Sequence, residues 1–159
     1  MSNRGNSKER QWRIAQRWSH VYFLSFRCDV NLIREKVPPK LQIDSFDGSG
    51  WLSIVPFHMS RIRFRCTPVI PMSALWELNL RTYVIYENRP GIYFFTLDTD
   101  SWLGQKIAKY CFGLPYRFRK MSGQVDDESY RFHAKDSFQM ESRLGSTIKS
   151  SALDRWLVD

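Results

Sequence analysis

The chain has 159 residues, enough to bury roughly two-thirds of its unfolded surface, so a hydrophobic core can hold it together without disulfides or a metal. Aromatic residues make up 15% of the sequence and alanine is sparse, which favours packed strands and argues against an all-helical fold. The net charge of +8 suits a nucleic-acid partner, but several basic residues lie in segment 1–13, which we predict to be a disordered leader ahead of a single domain at 14–159.

The first part of the chain is predicted to form strands with one short helix. Strands are expected at Val21 to Arg27 and at Leu41 to Phe46. Between them a helix from Asn31 to Lys36 ends before Pro38, since proline disfavours helix in the residue that precedes it. Trp51 to Met59 is apolar at almost every position, which is typical of a strand covered on both faces.

An arginine-rich strand is predicted next. From position 61 polar and apolar residues alternate strictly, and the side expected to face solvent carries Arg61, Arg63 and Arg65. These arginines could follow a phosphate backbone, so a nucleic-acid-binding module is the alternative function. No RNP sequence, G-x-x-G loop or helix-turn-helix accompanies them, which makes nucleic acid the less favoured partner.

A hairpin is predicted from two further strands, Ala74 to Tyr86 and Ile92 to Leu97. Between them Pro90 and Gly91 suit the central positions of a type II turn. Alternation in the second strand is expected to place three residues on one face: Tyr93, Phe95 and Leu97.

The first hairpin strand has one polar face, where alternation places Glu77, Asn79 and Arg81 together. Its partner strand is largely apolar on both faces, so the polar face beside it should line a partly enclosed cavity, together with Tyr116. Unpaired burial of charge is costly, and we therefore expect Glu77 and Arg81 to pair or to share a ligand. The alternative is an ordinary solvated strand face.

The best-marked helix lies between Ser101, which can cap its N-terminus, and Gly113, which can end it. Its apolar side is expected to carry Leu103, Ile107, Ala108, Cys111 and Phe112. Later segments predict three more strands: Tyr116 to Val125, Ser129 to Ala134 and Ser137 to Arg143. Ser151 and Asp154 form a capping box for a short final helix at 152–158.

Several functional classes are not indicated. Cysteine and histidine are too scattered to predict a disulfide framework or a metal site. A Walker loop and a G-x-G-x-x-G motif are absent, and we expect no cofactor. The N-terminus is polar and no stretch approaches the roughly 18 apolar residues of a membrane span, which predicts a cytoplasmic protein without a membrane partner.

Four motifs resemble, in order and spacing, the YqjF-like family of unknown function. They are W-L-S-I-V-P-F at Trp51 to Phe57, E-L-N-L-R-T-Y-V at Glu77 to Val84, R-P-G-I-Y-F-F at Arg89 to Phe95, and G-L-P-Y at Gly113 to Tyr116. This family is grouped with acetoacetate decarboxylase, so the resemblance implies a mostly β, α+β fold, a decarboxylase-like β-barrel or cone with an enclosed pocket. Family members are typically longer, and we expect the domain to be incomplete at its C-terminus.

The resemblance also implies which chemistry is missing. In acetoacetate decarboxylase a lysine after a Gly-x-Pro motif forms a Schiff base with a keto acid. The similar place here, Gly113 to Pro115, is followed by Tyr116 and Arg117, and neither side chain offers an amine that can form an imine. Lys106 and Lys109 are the nearest amines upstream, and we expect both to be solvated.

Together these observations predict a barrel pocket that binds a small, anionic organic molecule, and leave open whether it also catalyses a reaction. A scaffold with a filled interior is a third possibility. The resemblance implies that Glu77 corresponds to a site glutamate of the decarboxylases, and Arg81 and Arg117 are expected to pair with the anionic group of the ligand. The expected ligand-binding residues are Glu77, Asn79, Arg81, Tyr116 and Arg117.

Overall fold

The computed structural model describes residues 14–64, 74–126 and 128–158. The predicted leader at 1–13 and Arg65 lie outside the described residues. The elements are β1 (Ile14–Ser19), β2 (Leu24–Cys28), α1 (Val30–Arg34), β3 (Gln42–Ile43), β4 (Gly50–Phe64), β5 (Leu75–Tyr86), β6 (Arg89–Thr99), α2 (Trp102–Phe112), β7 (Tyr116–Phe118), β8 (Met121–Val125), β9 (Ser129–Ala134), β10 (Phe138–Arg143) and α3 (Ala152–Val158). The mostly β, α+β class is confirmed.

Seven strands form the main sheet and three form a smaller one. The main sheet has the order β1-β4-β5-β6-β7, with β2 also paired to β4 and β3 to β5. The smaller sheet has the order β10-β9-β8. Over the described residues no pairing joins β1 to β7, so the expected closed barrel is not formed by this part of the chain.

The long strand β4 has two different neighbours on one side, and a proline marks the change between them. Strand β2 pairs with residues 50–54 of β4 and β1 pairs with residues 58–64. Pro56, between these stretches, lacks the N–H that a continuous neighbour would need, and its carbonyl accepts from the Tyr22 N–H. Strand β1 was not predicted, because its sequence lacks a clear apolar alternation.

Both faces of the main sheet are covered, as the apolar run Trp51 to Met59 predicted. On one face Val55, Phe57 and Met59 form a buried cluster with residues of β4 and β5. On the other face Leu78 of β5 packs against Tyr130 and Phe132 of the smaller sheet, and Val84 packs against α1. Successive residues of a strand point to opposite faces, so the two clusters separate by parity.

The predicted hairpin is confirmed, but its turn was placed wrongly. Strands β5 and β6 pair from Glu77 with Thr99 to Tyr86 with Arg89, so Glu87 and Asn88 form the turn instead of Pro90 and Gly91. Both turn residues have positive φ, 50° and 60°, which matches the twist of two antiparallel strands better than a type II turn does.

A register shift in β6 changes which residues share a face. Leu80 pairs with Thr96 and Arg81 pairs with Phe94, so one extra residue is inserted into β6. Phe95 and Tyr93 consequently pack beside the α1 cluster, while Leu97 faces the opposite side. The prediction that Tyr93, Phe95 and Leu97 share a face was therefore wrong, because strict alternation does not anticipate a bulge.

Helix α2 begins and ends where its caps were predicted. The Ser101 hydroxyl accepts from the Gly104 N–H at 3.0 Å, and Gly113 ends the helix with a φ of 66°. Its inner side carries Gly104, Ile107 and Ala108, which face the main sheet. Leu103 was predicted on that side and is 46% exposed instead, because the helix is rotated to bring Gly104 against Leu75.

Removing the Ser101 cap should loosen α2 measurably. We expect Ser101→Ala to lower the free energy of unfolding by about 1 kcal/mol, because the Gly104 N–H loses its acceptor. Urea unfolding followed by circular dichroism measures the change. The exposed Ser45 provides the control, and an equal loss in Ser45→Ala would contradict the role of the cap.

Helix α3 is short but is held at both ends. The predicted capping box is present, since the Ser151 N–H donates to Asp154 at 2.7 Å and the Asp154 N–H donates to the Ser151 hydroxyl at 3.1 Å. Near its C-terminus Leu157 is buried beside Tyr83. Tertiary packing therefore stabilises a helix that would be marginal by itself.

Candidate ligand-binding cavity

A cavity of about 320 Å³ lies between the main sheet and α2. Its walls are mainly apolar, and its polar side chains come chiefly from one face of β5 and from β7. The lining residues are Gln16, Trp18, Phe23, Val55, Phe57, Met59, Ile62, Leu75, Glu77, Asn79, Arg81, Ile92, Phe94, Leu97, Thr99, Gly104, Ile107, Ala108, Phe112, Leu114 and Tyr116. Four of the five predicted site residues are thus brought together, and the solvated-face alternative does not hold for β5.

Glu77 and Tyr116 form a hydrogen-bonded pair in which Glu77 is buried and Tyr116 is partly buried. Glu77 is 3% exposed, and the Tyr116 hydroxyl donates to its Oε2 at 2.8 Å. Burial raises the pKa of Glu77 to about 7, although hydrogen bonds from Tyr116 and from the Asn79 side chain favour the charged form. Burial, together with the nearby Glu77 charge, also raises the pKa of Tyr116, so the phenol remains a donor.

The turn after α2 positions Tyr116. The left-handed conformation of Gly113 ends the helix and lets the chain return as β7, which pairs with β6 in parallel. Leu97 of β6 then lies beside Tyr116 on one side and beside Asn79 on the other. Tyr116 therefore shares a cross-strand row with Asn79 while its hydroxyl reaches Glu77.

Arg81 has one buried donor that is not used within the described part of the chain. Its Nη2 donates to the Leu157 carbonyl at 3.1 Å and to the Tyr83 hydroxyl at 3.4 Å. Its guanidinium also lies 4.9 Å from the centre of the Phe23 ring. The Nε–H, however, is buried and has no hydrogen-bond partner there, and the same is true of the Asn79 Oδ1.

The direct Glu77–Arg81 ion pair that we considered is not formed. Glu77 is held by Tyr116, and Arg81 turns towards the end of α3 instead. They are four positions apart on one strand, so their Cα atoms lie about 13 Å apart, and each side chain meets a nearer partner.

Arg117 does not line the cavity, which corrects its predicted place in the site. It follows Tyr116 directly in β7, and neighbouring strand residues point to opposite faces. Its Nε donates to Asp98 at 2.8 Å on the far side of the sheet, where Arg119 also pairs with Asp98 at 2.7 Å. The Arg117 side chain is 54% exposed, while Asp98 is almost fully buried.

Other lining residues were missed because they lie outside the hairpin. Gln16 and Trp18 come from the unpredicted strand β1, and Phe23 precedes β2. Trp18 and Phe23 are partly exposed, as are Ile92, Phe112 and Leu114, so an apolar rim surrounds the mouth of the cavity. In the sequence, the one signal for Gln16 and Trp18 was their spacing of two, which places both on the same face of a strand.

The two candidate amines lie away from the cavity. The Lys106 ammonium lies 5.4 Å from the centre of the Trp102 ring, on the outer side of α2, and Lys109 is exposed. No lysine occurs among the described residues that line the cavity. The cavity walls therefore offer no lysine amine.

Within 14–64, 74–126 and 128–158 no group of three histidine, cysteine, aspartate or glutamate side chains is arranged to hold a metal ion. In those ranges no helix has the length and apolar character needed to cross a membrane.

Arg61 and Arg63 are exposed as predicted, while Ile62 between them is buried.

Comparison with known sequences identifies relatives over almost the whole chain. A family model described as an uncharacterized conserved protein, DUF2071, matches residues 15–159. The uncharacterized protein YqjF of Bacillus subtilis (strain 168) is 35% identical over 158 residues, which cover 93% of this chain and 65% of YqjF. The chain thus spans slightly less than two-thirds of that relative. None of these relatives supports the nucleic-acid alternative.

Comparison with solved structures shows the same fold in enzymes of low sequence identity. Acetoacetate decarboxylase from Legionella pneumophila is 14% identical with a TM-score of 0.65, over 91% of this chain and 54% of the enzyme. The enduracididine biosynthesis enzyme MppR is 11% identical with a TM-score of 0.58, over 91% of this chain and 59% of MppR. An acetoacetate decarboxylase-like enzyme from Sphingomonas wittichii RW1 is 12% identical with a TM-score of 0.57, over 80% of this chain and 55% of the enzyme.

These sequence identities are too low to assign the activities of the solved enzymes to this chain, and they show the fold alone. The family match covers the same part of the chain as that fold. The family match begins at residue 15, one residue after β1 starts, and extends through every later element. The chain therefore belongs to the DUF2071 family of uncharacterized conserved proteins, and it has the fold of the acetoacetate decarboxylase-like proteins.

Proposed function

We propose that this chain binds a small anionic organic molecule in the cavity between the main sheet and α2. The buried Nε–H of Arg81 carries the proposal, because it is a charged donor without a partner in the described chain. Buried polar groups in folded proteins nearly always have a partner, so an unused donor on a cavity wall indicates a ligand acceptor. A carboxylate oxygen is the acceptor that best complements a guanidinium.

The remaining polar groups and the walls restrict the ligand further. The Asn79 Oδ1 is a buried acceptor without a partner, so it favours a ligand that also carries a hydroxyl or N–H group. The volume of about 320 Å³ is at the lower end of small-molecule sites. Solved neighbours include MppR complexed with pyruvate, a small carboxylate.

We also propose that any reaction in this cavity proceeds without a Schiff base. The lining residues include Tyr116 where the resemblance to the decarboxylases suggests a lysine, and the lysines of α2 lie outside. A tyrosine hydroxyl cannot form an imine with a ketone. Treatment with borohydride in the presence of acetoacetate should therefore leave the mass of the protein unchanged, and an adduct on Lys106 or Lys109 would contradict this.

Arg81 can be tested as the anion-binding residue by titration calorimetry with pyruvate, levulinate and octanoate. We expect Arg81→Met to weaken binding of the carboxylates about ten- to a hundredfold, because a hydrogen bond to a charged group is lost. Arg63→Met removes the same charge from an exposed position and should leave binding unchanged. Circular dichroism checks that α3 remains folded, since Arg81 also holds the Leu157 carbonyl.

Two outcomes would overturn this function. If none of the carboxylates binds, the cavity is not an anion site. If Arg63→Met weakens binding as much as Arg81→Met, the attraction comes from the net charge of +8 and not from the cavity.

A further inference from the structure

We propose that Glu77 and Tyr116 remove and return a proton at a carbon atom beside the carbonyl group of an oxo acid whose carboxylate is held by Arg81. The inference rests on the proposed function, because it requires an anionic molecule in the same cavity. It adds an activity, proton transfer at carbon, and a substrate class in which the two functional groups are well separated.

Glu77 has the position and the environment of a general base. Its carboxyl lies on a cavity wall, is almost fully buried, and receives the Tyr116 hydroxyl at 2.8 Å. Leu75, two positions earlier on β5, and Phe57, the cross-strand partner of Glu77 on β4, are buried apolar residues beside it that keep the surrounding dielectric low. Burial raises the pKa of Glu77 to about 7, so near neutral pH the carboxyl can both accept and return a proton.

Tyr116 supplies the hydrogen-bond donor that stabilises the enolate formed when the proton leaves carbon. When the carbon–hydrogen bond breaks, the proton moves to Glu77 and the electron pair moves into a carbon–carbon double bond, which leaves the negative charge on the carbonyl oxygen. A protonated Glu77 no longer requires the Tyr116 hydrogen bond, so the hydroxyl can donate to the enolate oxygen. Return of a proton from Glu77 restores the ketone, and no oxidant or reductant is consumed.

The spacing along β5 restricts the substrate. Glu77 and Arg81 are four residues apart on one strand, which separates their Cα atoms by about 13 Å. Arg81 is directed towards the end of α3 and Glu77 is held by Tyr116, so the two side chains do not converge on one point and favour a ligand whose carboxylate and carbonyl group are separated. The wall between them includes Phe94 and Leu97, which suit methylene groups, and Asn79, whose unpaired Oδ1 suits a hydroxyl group on the connecting chain. The geometry favours a carbonyl several carbons distant from the carboxylate.

The activity can be measured without knowing the natural substrate. Pyruvate, levulinate and 7-oxooctanoate are incubated with the protein in D₂O, and proton NMR follows loss of the signals beside each carbonyl. Calorimetry on the same compounds reports binding. We expect exchange to be fastest for 7-oxooctanoate. Glu77→Gln should slow it at least about a hundredfold while 7-oxooctanoate still binds, and Tyr116→Phe about a hundredfold.

Each outcome bears on a separate part of the proposal. Binding of these compounds without catalysed exchange overturns the proton transfer and leaves the binding function intact, whereas absence of binding overturns both. Exchange at an unchanged rate in a folded Glu77→Gln variant removes Glu77 as the base. Faster exchange of pyruvate than of 7-oxooctanoate overturns the substrate class. Arg63→Met is the control and should exchange at the wild-type rate.

Discussion

Replacing Gly123 with alanine is expected to lower the free energy of unfolding by about 3 kcal/mol. A Cβ atom at this position would lie 2.2 Å and 2.3 Å from two carbons of the Trp76 ring, far inside contact distance. The ring cannot easily retreat, because His58, Tyr130 and Phe132 pack around it. The added methyl group must therefore displace β8, and with it the packing of the smaller sheet on the main one.

Gly91 is the matched control for this substitution. It also lies in a strand, and a Cβ atom there would meet no heavy atom within 4 Å. Gly91→Ala should change the free energy of unfolding by less than about 1 kcal/mol. Denaturant unfolding monitored by tryptophan fluorescence compares the two variants. A loss in Gly123→Ala no larger than in Gly91→Ala would show that Trp76 moves without cost.

The stability of Glu77→Gln relative to the wild type is expected to change with pH by about 3 kcal/mol. The pKa of Glu77 is about 7 in the folded chain against a usual value of 4.5. Between these values the folded state holds a proton that the unfolded state has released. The wild type therefore loses stability as pH rises from 4.5 through 7, while glutamine stays neutral throughout.

Urea unfolding at pH 5 and at pH 8.5 tests this dependence. Near pH 5 the two proteins should be about equally stable, since Tyr116 can donate to either side chain, and at pH 8.5 the variant should be more stable. Glu141→Gln, at an exposed position, is the control for removal of a negative charge. A difference that is the same at both pH values would contradict the raised pKa of Glu77.

The ionised Glu77 carboxyl is expected to lower the free energy of unfolding relative to glutamine at the same position. Nothing in the packing of β5 demands a carboxyl at position 77, because a neutral side chain could accept the same hydrogen bond from Tyr116. Under the proposed proton transfer, this loss of stability is the expected cost of a carboxyl at a position where glutamine would be more stable near and above neutral pH.

The amino-acid sequence by itself determined the local features of this protein. The caps of α2 and α3 and the extent of β9 follow from residues within a few positions of each other, and all were predicted. The common face of Glu77, Asn79 and Arg81 follows from the period of two in any strand, and no bulge interrupts β5 between them. These features depend on short-range geometry that a residue pattern expresses directly.

Only the tertiary structure decided which groups meet across the sheet. The Tyr116 hydroxyl reaches Glu77, 39 positions earlier, and Arg81 reaches Leu157, 76 positions later. The extra residue in β6 and the placement of Arg117 on the far face likewise depend on how neighbouring strands pair. Periodicity is a property of one strand, whereas strand order and register result from packing of the whole sheet. The sequence could therefore predict that Glu77, Asn79 and Arg81 share a face, but not which residues they contact.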